Sequence, residues 1–170
     1  MFVLRRGKGI SLLELMVVFA IISILALAAI PLFNSFIANY RVSAAADNLY
    51  YYLQYARSEA VKRNANVYVS FTSGDTWCYG INVGSSCNCA TPNNCSLAAV
   101  SYTTAGQTTL STNGLSSNSI YFEGSHAAAS ASGSVTFTRY GNSTPLVSVL
   151  IGRLGGLQMC STGMGGYTAC

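Results

Sequence analysis

Charged side chains are scarce in this chain of 170 residues, which carries nine lysines and arginines, five acids and one histidine. After residue 38 the groups suited to acid–base chemistry are Asp47, Glu59, Asp75, Glu123 and His126. His126 lies in a run of alanine, serine and glycine, which is typical of a solvated loop. Catalysis requires several titratable groups that converge on one substrate. The composition therefore argues against an enzyme, and we expect no catalytic residue, no metal and no cofactor.

Charge is also absent between Glu14 and Arg41. As a helix, Leu15–Phe33 would extend about 28 Å, close to the roughly 30 Å hydrocarbon core of a bilayer. Three basic side chains precede this run: Arg5, Arg6 and Lys8. Because positive charge keeps the flanking end of a span in the cytoplasm, the sequence predicts a single-pass membrane protein with a cytoplasmic N-terminus and its larger part on the opposite side. In a Gram-negative bacterium this would be the inner membrane, with the larger part periplasmic.

Glu14 is the only carboxylate in this apolar run. A charge at the centre of a membrane helix costs roughly 2.5–3.5 kcal/mol on insertion scales, and less near the interface, so this acid implies a partner or a task. The stretch Gly9-Ile-Ser-Leu-Leu-Glu14 resembles the N-terminal signature of type IV pilins and pseudopilins. In that signature a basic leader ends in glycine, and a glutamate lies four residues after the new N-terminus. The resemblance implies cleavage by prepilin peptidase between Gly9 and Ile10, methylation of Ile10, and a role for Glu14 in subunit assembly.

Cleavage before the apolar run would leave the helix in the mature protein and give Ile10 a free α-amine. Glu14 of a staggered neighbouring helix could neutralise that amine inside the bilayer. Alternatively, Glu14 snorkels to the lipid surface without a partner. The resemblance implies four partners: other pilins or pseudopilins, prepilin peptidase, the inner-membrane assembly platform and membrane lipid. We expect a leader at 1–9, a transmembrane assembly helix at 10–38 and a periplasmic head at 39–170.

One long helix is predicted from about Ser11 to Arg63, with a kink at Pro31 because proline removes a helical hydrogen bond. In its second half, apolar residues recur at steps of three and four, which indicates one buried face: Val42, Ala45, Ala46, Leu49, Tyr52, Leu53, Ala56 and Ala60. Glu59 and Arg63 are spaced for an ion pair on a solvated face. The segment from Leu53 to Asn64 contains Ala-Arg-Ser-Glu-Ala and resembles the helix end of the GspH and FimT family of minor pilins and pseudopilins.

After Asn64 the pattern changes to alternating apolar and polar residues, which predicts β-strands. The predicted strands are Val67–Thr72, Trp77–Val83, Val100–Thr103, Ser119–Phe122, Val135–Thr138 and Leu146–Ile151. Two stretches rich in small residues, 84–96 and 124–133, are predicted to be loops outside the core. The expected fold is α+β and pilin-like: a long N-terminal helix, membrane-spanning in its first half, packed on a mostly antiparallel β head.

Six cysteines lie in the part predicted to be exported, where thiols can be oxidised. Fifteen complete pairings are possible. We expect Cys160 to pair with Cys170, and the other four to pair among themselves: Cys78, Cys87, Cys89 and Cys95. A metal site is the rival interpretation, but the C-x-C-x5-C spacing lacks the paired C-x2-C knuckles of structural zinc and has no histidine nearby.

The sequence leaves open whether the chain serves a type IV pilus or type II protein secretion. Some FimT-like proteins carry a Gly-Arg-x-Arg motif near the C-terminus and bind DNA. Here the corresponding residues are Gly152-Arg153-Leu154-Gly155, so one arginine matches and the second is replaced by glycine. Arg153 is therefore a possible DNA contact, and a DNA-binding minor pilin that acts as a receptor in natural transformation is the alternative function. The balanced charge after Asn64 weakens it, because phosphate contacts need cations.

Overall fold

The computed structural model describes residues 9–102, 108–142, 144 and 146–170, with the backbone alone at 27–32. The predicted leader, apart from Gly9, lies outside these residues, as does the end of the strand predicted at Val100–Thr103. The side chain of Pro31 also lies outside the described residues, so the kink predicted there stays a prediction. The chain divides into two compact units, one ending at Ile37 and one running from Ala38 to Cys170.

Helix α1 extends from Leu12 to Arg63, within one residue of the predicted helix. It ends where Asn64 adopts a left-handed conformation, with φ of 47°. The amide of Asn64 donates to Val61 O at 3.1 Å, and that of Ala65 donates to Ala60 O at 3.2 Å. This pair of bonds is the Schellman arrangement, which satisfies carbonyls that a helix end would otherwise leave unpaired.

Nine strands follow in the described residues: β1 Val67–Thr72, β2 Cys78–Val83, β3 Ala98–Ser101, β4 Thr108–Asn113, β5 Ser119–Phe122, β6 Gly133–Arg139, β7 Val147–Ile151, β8 Leu157–Ser161 and β9 Thr168–Ala169. One sheet has the order β3-β2-β1-β5 and the other β4-β6-β7-β8-β9. All pairs are antiparallel except β8 with β9. The α+β, pilin-like architecture is confirmed.

The second half of α1 supplies one side of the hydrophobic core. Seven of the eight apolar helix positions predicted to face inward are buried: Val42, Ala45, Ala46, Leu49, Leu53, Ala56 and Ala60. They share one cluster with buried residues of both sheets, and the eighth, Tyr52, packs against that cluster while partly exposed. Because both sheets contribute to the same core, the head folds as one hydrophobic unit around this part of the helix.

Polar contacts fix the helix to the sheets and the two sheets to each other. Tyr79 donates its hydroxyl hydrogen bond to Asn48 Oδ1 at 2.5 Å, and burial raises the pKa of the Tyr79 phenol well above its ordinary value. Arg139 donates to the Asn39 side-chain oxygen through Nε at 3.1 Å. Trp77 Nε1 donates to Thr108 Oγ1 at 3.1 Å and thereby connects the two sheets at the edge of the core.

Two expectations about the head were wrong. Strands β4, β8 and β9 were not predicted. Strand β4 is mostly polar and buries only Thr108 and Leu110, and β9 has two residues. The stretch 124–133 is not wholly outside the core. Ala129 belongs to the core and forms an isolated β-bridge with Phe122, because its small side chain fits against the edge of β5.

Candidate functional site

The residues at the predicted cleavage point lie before the helix and are exposed. Gly9, Ile10 and Ser11 are non-helical, and Ile10 is 74% exposed. The amide of Glu14 is 3.4 Å from Ser11 Oγ, and the amide of Leu15 donates to Ser11 O at 3.1 Å. Ser11 is therefore the N-cap of α1. Sequence reasoning missed this role, although the Ser-x-x-Glu pattern of a capping box signals it.

The Glu14 side chain is exposed in the first turn of α1. Its carboxylate has no hydrogen bond or ion pair with any residue that the structure describes. A negative charge at this end of a helix is stabilised by the helix dipole, so the position suits a carboxylate even in an isolated chain. The group is free to pair with a cation from outside the chain.

The first unit presents large apolar side chains on all sides. Fourteen of them are between 48% and 78% exposed: Ile10, Leu12, Leu13, Leu15, Met16, Val17, Val18, Phe19, Ile21, Ile22, Ile24, Leu25, Phe33 and Phe36. Among the described side chains, no helix combines the length and apolarity needed to cross a membrane. The span predicted over Leu15–Phe33 therefore stays a prediction.

A charged cluster lies at the other end of α1. Glu59 accepts from Arg63 Nε at 2.7 Å and from Lys62 Nζ at 3.2 Å. The hydrogen bond from Arg63, and then that from Lys62, lowers the pKa of the Glu59 carboxyl. The predicted pair forms, but Glu59 is only 6% exposed, so the expectation of an ordinary solvated face was wrong for the acid. Its aliphatic stem is covered while its charge is neutralised by two cations.

All six cysteines are paired: Cys78–Cys89, Cys87–Cys95 and Cys160–Cys170. The Cys160–Cys170 pair was predicted, whereas the sequence left open how the other four pair among themselves. The first two bonds fasten the loop at 84–96 over the outer face of the first sheet. Cys87 N donates to Ser70 Oγ at 3.1 Å there. A Cβ at Gly80 would overlap the Cys95 sulfur and lie 3.0 Å from that of Cys87, so only glycine leaves room for both disulfides.

Arg153 lies in the turn between β7 and β8 and is exposed. Its carbonyl accepts the Ala129 amide at 2.9 Å, and its side chain has no described partner. Gly155, at the position of the second arginine of the DNA-binding motif, has φ of +76°. A Cβ there would overlap the Ala127 carbonyl oxygen. The turn thus has a conformation that an arginine at 155 would not fit without a shift.

Two family profiles match the chain. One, for the prokaryotic N-terminal methylation motif, covers residues 4–30 and so includes Gly9, Ile10 and Glu14. The other, for the type II transport protein GspH, covers residues 45–155. The chain belongs to the GspH family. No curated protein and no solved structure matches it.

GspH membership gives the chain a pilin or pseudopilin role. Such families consist of structural subunits of pili and pseudopili in the cell envelope, which assemble with other pilin subunits and are processed by prepilin peptidase. The GspH match begins in the second half of α1 and ends at Gly155. Strands β8 and β9 and the Cys160–Cys170 disulfide lie beyond it.

Proposed function

We propose that this chain is a minor pilin or pseudopilin that is cleaved between Gly9 and Ile10 and assembled through its N-terminal helix. The observation that carries the proposal is Glu14, a carboxylate without a described partner, located four residues after Ile10 in an exposed apolar helix. The match to the methylation motif supports this assignment of the cleavage point. The filament would be a type IV pilus or a type II secretion pseudopilus.

Exposure of the cleavage point supports processing. A peptidase must hold its substrate in an extended form, and Gly9–Ser11 is both exposed and outside the helix. Cleavage places a new α-amine on Ile10, two residues ahead of Leu12, and methylation of Ile10 would preserve its positive charge. The amine is then near the helix end at which Glu14 lies.

Assembly would pair the Ile10 amine of one subunit with Glu14 of the next. In an apolar environment two opposite charges attract far more strongly than in water, and each would be costly alone. The exposed side chains from Leu12 to Phe36 would be covered by other helices in the filament. Before assembly, the same side chains would contact lipid in the inner membrane, near the assembly platform, with the head on the periplasmic side. The proposed boundaries remain 1–9, 10–38 and 39–170.

Substitution of Glu14 tests the proposal in cells that assemble the filament. Glu14→Ala should leave the Ile10 N-terminus detectable by mass spectrometry, while its amount in sheared filaments falls about tenfold or more. Ser23→Ala is the matched control on the same helix, since the Ser23 hydroxyl only donates to Phe19 O at 2.7 Å; it should assemble normally. Normal incorporation of Glu14→Ala would refute the pairing and favour a carboxylate that snorkels to the lipid surface.

DNA binding through the turn at Arg153 is the second candidate, favoured by the exposed guanidinium. Two observations count against it: an arginine at position 155 would not fit the turn without a shift, and the charge after Asn64 is balanced. A salt titration of the full chain on a short duplex tests it, since each neutralised phosphate adds about 0.9 to the slope. A salt-dependent affinity that Arg153→Gln reduces would support a receptor, and a flat response would exclude it.

A further inference from the structure

An open groove of about 460 Å³ lies beside the last turns of α1. It is lined by Gln54, Arg57, Ser58, Val61, Lys62 and Ala127. Five of these are helix residues, and Ala127 belongs to the loop after β5. Within that loop the Ala127 amide donates to Glu123 O at 3.0 Å. The groove belongs to the head and is distinct from the Glu14 end of the helix.

Arg57 is the unusual group in this groove. Its side chain is half-buried, yet its guanidinium has no hydrogen bond or ion pair among the described residues. The nearest acid along the helix, Glu59, already accepts from Lys62 and Arg63. Since a partly desolvated charge is unfavourable unless it is paired, the guanidinium is available for an anion that enters the groove.

The turn after β7 lies close to Arg57. A Cβ at Gly155 would lie 3.3 Å from Arg57 Nε, so the glycine lets the turn approach the guanidinium closely. The turn itself is closed by the Gly155 amide, which donates to Gly152 O at 2.9 Å. A neighbour this close leaves the guanidinium fewer positions, which lowers the entropy that an incoming ligand must remove.

We propose that this groove binds an acidic side chain presented by a segment of a partner protein. A carboxylate matches the fork of a guanidinium and can accept two parallel hydrogen bonds from Arg57. Val61, which is 52% exposed on the groove wall, would contact the aliphatic part of that segment. The site goes beyond filament assembly through Glu14 and gives the head its own recognition surface.

A nucleic acid fits this groove less well. Of its two cations, Lys62 is already paired with Glu59 at 3.2 Å, so only Arg57 is unpaired. Binding to a phosphate backbone takes its affinity from several cations at once. The exposed side chain of Val61 cannot hydrogen-bond to a phosphate, but it can contact an aliphatic side chain. The guanidinium of Arg57 beside the apolar side chain of Val61 matches an acidic side chain in an otherwise apolar peptide.

The experiment uses the full chain in non-ionic detergent micelles, so it does not depend on processing or assembly. The probe is a blocked peptide of alternating leucine and glutamate, and the control probe has glutamine in place of glutamate. Binding is followed by the NMR resonance of the Arg57 Nε–H group. We expect a saturable shift with the acidic peptide only, and Arg57→Gln should weaken binding by about tenfold, as for the loss of a charge-assisted hydrogen bond.

Arg41→Gln is the matched control, because Arg41 is an exposed arginine on the same helix outside the groove. The affinity of this variant for the acidic peptide should stay within about twofold of the wild-type value. Arg57→Lys keeps the charge without the fork and should give an intermediate loss, which guards against a folding defect in Arg57→Gln. The proposal is overturned if the glutamine peptide binds equally, or if Arg57→Gln binds like the wild type. It is also overturned if a twelve-residue oligothymidylate shifts Arg57 more strongly than the peptide does.

Discussion

The two halves of helix α1 are both rich in apolar residues, but their surfaces are opposite. In the first half Leu12 is 78% exposed and Phe19 is 61% exposed. In the second half Leu49 and Leu53 are fully buried. The same side-chain chemistry thus contributes to a core in the second half and is exposed in the first.

The pattern of residues explains this difference. In the second half, apolar residues recur on one face, so the strands that pack on that face can cover them. In the first half they surround the helix, and a helix that is apolar on all sides needs cover on all sides. In the proposed function, lipid or other subunits cover the first half, whereas the head covers the second half. Substitutions that act on one half alone can test this division.

The largest effect is expected from truncation of a buried leucine in the second half. Leu53→Ala should lower the free energy of unfolding of the head by about 2–5 kcal/mol, because it removes buried apolar surface and leaves a cavity. Leu13→Ala, at a position that is 72% exposed, should change it by less than about 0.5 kcal/mol. Urea unfolding in micelles, followed by the fluorescence of the single tryptophan, Trp77, measures both. Equal losses of unfolding free energy in the two variants would contradict the difference between the two halves of α1.

A smaller effect is expected at Gly80. Substitution there tests whether the disulfide-bonded loop at 84–96 contributes to the stability of the head. Gly80→Ala should cost about 1–3 kcal/mol through overpacking against the sulfur atoms. It should also leave free thiols detectable by alkylation and mass spectrometry. Gly156→Ala is the control, because a Cβ there has open space and no positive φ. If Gly80→Ala has all its cysteines oxidised and unchanged stability, a Cβ at position 80 does not crowd the sulfur atoms of Cys87 and Cys95.

How far the sequence predicts this molecule depends on how locally each feature is encoded. Residue period is a local signal, and it predicts closely the helix, strands β1 and β5, and the buried face from Val42 to Ala60. Strand β4 was not predicted, since a mostly polar strand forms only when a neighbour pairs with it. The same holds for the site: Glu14 is marked by a motif, whereas Arg57 becomes notable only once Gly155, nearly a hundred residues away, packs beside it.

The boundary at the end of α1 offers a third test. Asn64 adopts φ of 47°, a conformation that costs most residues roughly 1–2 kcal/mol but not glycine. Asn64→Ala should therefore lower the free energy of unfolding by about 1 kcal/mol, and Asn64→Gly should preserve it. Thermal unfolding of the two variants side by side measures the difference. If both behave alike, the Schellman end contributes nothing to the stability of the second half.

The smallest effect concerns the charge cluster at Glu59. Its pKa is lowered below the ordinary value of 4.5 by hydrogen bonds from Arg63 and Lys62. Since a lowered pKa means that the folded state binds the proton less tightly than the unfolded state, Glu59 stabilises the fold above pH 4.5. That contribution is lost as the pH falls through the lower folded-state pKa. Urea unfolding of the wild type from pH 6 to pH 3 should therefore show a loss that Glu59→Gln reduces.

Arg63→Gln separates the cause of that loss from the other carboxyl groups of the chain. It removes the 2.7 Å hydrogen bond that contributes most to the lowered pKa, so its pH dependence should resemble that of Glu59→Gln more than that of the wild type. Glu14, in the first half of α1, has no such partner among the residues that the structure describes, so the unfolding curve of the head should not respond to Glu14→Gln. A pH dependence that persists in Glu59→Gln but disappears in Glu14→Gln would place the acid-sensitive contact in the wrong half of the helix, and the division between the halves would fail.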